Sequence, residues 1–230
     1  MNVLLSVQNI RFSSLRSTIS NGHDMNPDLS VLQEIKQLPT ISEVYGISQS
    51  LAVLDAILMP EWEYRYFSFN NSWNDHQAMA SMKDGGGSHY YLLFDSKHNT
   101  CLGKVFDNRI KLRDRSMVQD IAELAPFLNE PAFENDVATF YFYNVCNILK
   151  WQSIMCSKEL SFLGFIKNKE KAYIDWAEDY YEIEIAKEPI IDIFNHQPIT
   201  EKMVKTLNSG CSLLDLKNEL DEIGYPQKAF

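Results

Sequence analysis

Lys83, Gly85, Gly86, Gly87 and His89 stand together in "SMKDGGGSHYYLLF", Ser81 to Phe94. A lysine beside consecutive glycines is the raw material of a phosphate cradle. Glycine lets backbone N–H groups converge on an anion, and a cation adds charge. Here, however, the glycines run into an aromatic strand-like segment, so no helix dipole follows them. Neither GxGxxG nor GxxxxGK[ST] occurs. The plainer reading is a turn or a tight backbone crossing, with Lys83 and His89 as the side chains through which the loop would hold a ligand.

A second group is "EWEYRYFSFNNSWNDH", which carries Arg65, Trp73 and His76. Trp, Tyr and Arg are the types enriched at binding hot spots, so these three are candidates for partner contact. Read as an alternating strand, the segment puts Trp62, Tyr64 and Tyr66 in the core and Glu61, Glu63 and Arg65 in water. Five histidines, at 23, 76, 89, 98 and 196, raise the question of metal. Without HExxH, HxH or a Cys/His knuckle they name no metal site. His89 and His98 also bracket a strand, which holds them apart. No GxSxG elbow and no cysteine in a Cys/His setting offers a nucleophile. Acidic pairs such as Glu178-Asp179 read as a solvated helix face. No catalytic residue and no cofactor is assigned.

Two helices precede this region. "NPDLSVLQEIKQL" has Pro27 near its first turn and Leu29, Leu32, Ile35 and Leu38 on one stripe. Thr40 and Glu43 have capping-box spacing, and Ile47, Leu51, Leu54 and Leu58 recur as an amphipathic stripe ended by Pro60. "NNSWND" breaks the strand pattern. "HYYLLFD" then reads as a central strand, with "SKHNT" as turn and "CLGKVFD" as hairpin partner. Ser116 can cap a short helix to Ala125. The aromatic and β-branched "DVATFYFYNVCNILKW" favours a strand over Ala138–Tyr143, with a buried helix as alternative.

The last third reads as helical. Tyr173, Trp176 and Tyr180 share a face, "PIIDIFN" starts at a proline, and Thr200 can cap "EKMVKTLN". Ser212 with Asp215 can cap a final helix whose stripe is Leu213, Leu216, Leu220 and Ile223, with Gly224 as C′ and Pro226 beyond. Helices, a small antiparallel sheet and helices again, without βαβ rhythm, make the fold class α+β.

The 230 residues are 45% apolar and 23% charged, with 12% aromatics, the balance of a globular protein. The net charge of -10 repels nucleic acid and anionic lipid and steers towards cationic partners. Four cysteines without regular spacing read as free thiols in a reducing compartment. No stretch approaches the ~20 apolar residues of a membrane span. Residues 1–24 contain two Arg and five Ser before their first acid, Asp24, as transit peptides do. Met25 opens a natural domain start, so 1–24 is read as an extension and 25–230 as one domain.

The blocks "AVLDAILMPEWEYRYFSFNNSW", "MASMKDGGGSHYYLLF", "YIDWAEDYYEIEI", "FNHQPIT" and "LDEIGYP", from about Leu51 to Pro226, resemble those of a family of bacterial proteins with no assigned activity. This chain departs from the pattern in Lys83, where an arginine is expected. It departs again in its third glycine and His89, where acidic residues are expected. The resemblance implies a bacterial cytoplasmic protein, similar in style to the immunity proteins encoded beside toxins. The functional expectation is a non-enzymatic module that binds a protein with a basic surface, with homo-oligomerisation also open. The rival expectation is a small hydrolase or nucleotide-handling enzyme that uses the Lys83–His89 loop.

Overall fold

A computed structural model describes residues 29–107, 138–145, 151–154 and 163–227. The expected helix from Ser116 to Ala125, Cys146, Cys156 and the arm of residues 1–24 lie outside the described residues.

The chain begins with α1 (Leu29–Lys36) and α2 (Ile41–Leu58). Thr40 and Glu43 close the anticipated capping box at the start of α2. The sheet follows as β1 (Phe67–Asn74), β2 (Gln77–Lys83), β3 (His89–Asp95), β4 (Thr100–Phe106), β5 (Phe140–Asn144) and β6 (Gln152–Ile154). Every neighbouring pair is antiparallel, in the order β1-β2-β3-β4-β5-β6. Then come α3 (Leu163–Tyr181), α4 (Lys187–Phe194), α5 (Glu201–Leu207) and α6 (Lys217–Ile223). This is the expected α+β architecture, and β5 resolves the strand-or-helix alternative at 140–144 in favour of strand.

Period-2 alternation sorts the strand residues onto two faces. Phe67, Phe69, Ala80, Met82, Tyr90, Leu92, Cys101, Val105, Phe140 and Phe142 join the helices in one core. Leu93, Leu102, Phe106, Ala138 and Tyr141 form a second cluster. β2 escaped the sequence reading because "QAMASMK" has no β-branched residue and only weak strand propensity. Its alternation of buried Ala78, Ala80 and Met82 emerges only when β1 and β3 pair on either side of it.

Two expectations need correction. α2 is not a helix with one wet face. Every residue from Ile47 to Ile57 is buried, because the helix packs on β1 and is surrounded by α3, α4, α5 and α6. Its polar side chains bond inward. Ser48 donates to Val44 O, Gln49 to Ile223 O and Gly224 O, and Ser50 to Ile193 O. α2 is long and apolar enough to cross a membrane, yet 78% of it is buried within the protein. The second correction is "EWEYRY". It is not strand: Trp62–Tyr64 form a 3₁₀ turn, and pairing begins only at Phe67. β1 also continues through "NNSWN", with irregular pairing between Asn70 and Asn74.

Two of the three expected C-terminal caps follow the sequence. Thr200 accepts from Met203 N. Ser212 and Asp215 do bond reciprocally, but they close the turn before α6 and do not cap it: Leu216 stands at its N-cap with no side-chain cap, and Leu213 lies ahead of the helix instead of on its stripe. Gly224 (φ 67) ends α6 in a Schellman pattern: Gly224 N–H donates to Asp221 O and Tyr225 N–H to Leu220 O.

Candidate functional site

The segment between α2 and β1 is pinned at both ends and projects in the middle. Pro60 cannot extend α2. Asp55, in the last turns of α2, is fully buried and accepts from the N–H groups of Tyr66 and Phe67 at 2.8 Å each. Its other oxygen accepts from Tyr173 Oη of α3 at 2.9 Å. Burial pushes the Asp55 carboxyl up to about 6, against the pull of those three hydrogen bonds and of Arg65. The same burial, joined by the Asp55 charge, raises the hydroxyls of Tyr173 and Tyr181.

Arg65 holds the turn from below. Its Nε donates to Met59 O and its Nη2 to Pro60 O, both at 2.9 Å, while Nη1 pairs with Glu219 of α6 at 2.6 Å. Its side chain is only 6% exposed. The expectation of Arg65 in water is therefore corrected: all three of its nitrogens donate inward, to the chain just after α2 and to Glu219.

With both ends fixed, the four residues between face solvent. Trp62 is 66% and Tyr64 62% exposed, and Glu61 and Glu63 are exposed beside them. The reading of Trp62 and Tyr64 as core fails because a 3₁₀ turn has no two-residue alternation to divide its sides. Trp62 walls a hollow of about 20 Å³ that Ser68, Arg65, Glu219 and Glu222 also line. Glu222, on exposed α6 surface, accepts from Asn70 Nδ2 at 3.1 Å. An exposed tryptophan and tyrosine set among carboxylates can anchor a partner that brings positive charge.

The glycine loop lies elsewhere. Asp84–Ser88 connects β2 to β3, with Lys83 opposite His89 in the ladder. Gly85 (φ 68) and Gly87 (φ 96) take the left-handed region that only glycine enters freely. The N–H groups of Gly86 and Ser88 do converge on an anion, but it is Asp84 Oδ1, at 2.8 Å from each. A phosphate there would have to displace a carboxylate of the chain itself. Lys83 is exposed; His89 is half-buried and stacks on Phe106 with ring centroids 4.2 Å apart.

Trp73 and His76 sit at the opposite end of β2, Trp73 near the end of β1 and His76 (φ 62) in the β1–β2 turn. Seven residues of strand separate His76 from Lys83, roughly 20 Å. The structure therefore brings Lys83 and His89 together with the glycines, but neither Trp73 nor His76 joins them. His98 pairs with Asp95 at 3.0 Å. Among the described residues no group of three His, Cys, Asp or Glu could hold a metal ion. Cys101 and Cys211 are buried free thiols, and burial raises both.

Sequence reasoning missed Asp55, Glu219 and Glu222 and misplaced Trp62 and Tyr64. One signal was available: Asp55 is the sole charge in "ISQSLAVLDAIL", and a lone carboxylate in a buried helix needs donors from elsewhere. Comparison with protein-family models, curated proteins and solved structures gives no match.

Proposed function

We propose that this protein is a non-enzymatic binding module whose Glu61–Tyr64 turn and neighbouring α6 surface cover a basic face of a protein partner. On this reading it acts in the bacterial cytoplasm as an immunity protein that neutralises a cationic toxin. The observation that carries the reading is the pair of solvent-exposed aromatics, Trp62 and Tyr64, held rigidly among Glu61, Glu63 and Glu222. Two large rings in water on an anchored turn lose little conformational freedom on binding, which favours them as hot spots. The net charge of -10 adds long-range attraction for a cationic partner.

The test is co-expression with the product of the adjacent gene, read as co-purification and as growth. The expected outcome is a complex and protection by the wild type, both lost in Trp62→Ala/Tyr64→Ala and both kept in Lys83→Ala/His89→Ala. Protection that survives the aromatic double substitution but fails with the loop substitution would move the function to the glycine hairpin.

A further inference from the structure

We infer that the hollow beside Trp62 receives a lysine side chain of the partner, an inference that rests on the Glu61–Tyr64 face being the interface. Charge, size and shape select this occupant in turn.

The hollow is lined by two carboxylates, Glu219 and Glu222, and by one cation, Arg65. Arg65 is committed: it pairs with Glu219 at 2.6 Å and donates from Nε and Nη2 to the Met59 and Pro60 carbonyls. Glu222 meets only a neutral amide among the described residues, Asn70 Nδ2 at 3.1 Å. A carboxylate has about four acceptor positions, so Glu222 retains capacity for a charged donor. One negative charge is left over, and one cation balances it.

Size narrows the cation. About 20 Å³ admits a single water-sized group. An ammonium head is of that size, whereas a planar guanidinium with three nitrogens would extend out through the hollow's open side. The shape suits the rest of a lysine. Trp62 forms one wall and is two-thirds in water, so its ring can cover the methylene stem while the ammonium reaches Glu222.

The experiment uses the full chain, ¹⁵N-labelled, with two peptides of equal length and charge, one of alternating Lys-Gly and one of alternating Arg-Gly. The readouts are the Trp62 indole N–H and the Asn70 side-chain amide resonances. Saturable shifts of both signals are expected with the lysine peptide, with weaker binding of the arginine peptide. Glu222→Gln should weaken lysine-peptide binding ~10-fold, the scale of one charge-assisted hydrogen bond, while leaving the melting temperature unchanged. Equal binding of the two peptides, lysine binding unaffected by Glu222→Gln, or no saturable shift with either peptide would each overturn the assignment. The partner separates this failure from that of the underlying reading. If Trp62→Ala/Tyr64→Ala loses the partner but Glu222→Gln binds it at full strength, the face stands and the lysine pocket falls. If the aromatic double substitution still binds, the face itself is wrong.

Discussion

Asp55 and Trp62 are seven residues apart, and each sits where the other's residue type would ordinarily be. The carboxylate is fully buried in the core, and the tryptophan is two-thirds in water. Both exceptions come from the same stretch of backbone. α2 ends in the core, β1 starts in the core, and the connection between them must turn outside it. The first N–H groups of the returning chain, on Tyr66 and Phe67, point away from β2 and into the protein. Asp55 supplies the acceptor. The cost of burying that carboxylate is offset in part by three hydrogen bonds and the nearby Arg65. The turn, relieved of any packing duty, is left to present its aromatics outward. A buried polar residue and an exposed apolar one are the informative exceptions in any fold, and the two teach different things. The first is architecture; the second is available for recognition.

The contrast can be attacked at its strongest point. Asp55→Ala should leave two buried N–H groups and the Tyr173 hydroxyl without an acceptor and cost about 3–5 kcal/mol. At this chain length that lowers the melting temperature by about 10 °C or more. A fall under ~4 °C would mean that Asp55 is not the anchor of the connection.

Asp55→Asn tests charge separately from hydrogen bonding, since the amide oxygen can still accept from Tyr66 and Phe67. The wild-type carboxyl titrates at about 6 in the fold, against an ordinary 3.8. A carboxyl raised on folding favours the folded state when protonated. Its contribution is therefore complete below pH ~4 and is lost as pH rises through about 6. Wild-type stability minus that of Asp55→Asn should fall by about 2 kcal/mol between pH 4 and pH 7, measured by urea unfolding. A flat difference would show that the buried carboxyl keeps its solution affinity for protons.

Arg65→Ala removes the grip on the Met59 and Pro60 carbonyls and on Glu219, with an expected loss of about 2 kcal/mol. Amide exchange in Glu61–Tyr64 should speed up more than in β3. Uniform acceleration would show that Arg65 supports the whole domain rather than the turn.

On the other side of the comparison, Trp62→Ala/Tyr64→Ala should change stability by no more than ~0.5 kcal/mol per residue, as exposed positions do. Binding to the partner should nevertheless weaken by ~30-fold or more. A melting temperature that collapses instead would place these rings in the core after all.

The smallest effect belongs to the glycine hairpin, which serves neither role. Gly85→Ala, at φ 68, should cost about 1 kcal/mol, and Gly86→Ala, whose φ is not positive, less. Equal costs in thermal melts would mean that the left-handed geometry at Gly85 is not what selects glycine there.

Features decided by neighbours in sequence were legible. Thr40 with Glu43, Thr200 and Gly224 each act within a few residues, and each does what its spacing indicates. β3 and β4 were legible because β3 is an unbroken apolar and aromatic run and a turn-rich segment joins it to the apolar ends of β4. β2 was not, since alanine and methionine acquire strand character only between partners. The site was barely legible. Its carboxylates come from α6, more than 150 positions after Trp62, and nothing in "EWEYRY" distinguishes an alternating strand from a projecting turn.

The amino-acid sequence by itself determined the α+β class, most of the helix caps, the turn at the three glycines and the acidic balance, because these follow from local propensity, spacing and composition. Only the tertiary structure decided which polar groups lie inside and which aromatics lie outside. Burial belongs to the assembled layers: α2 became a core helix when α3 to α6 closed around it, and Trp62 became a surface residue when Asp55 and Arg65 pinned the turn that carries it.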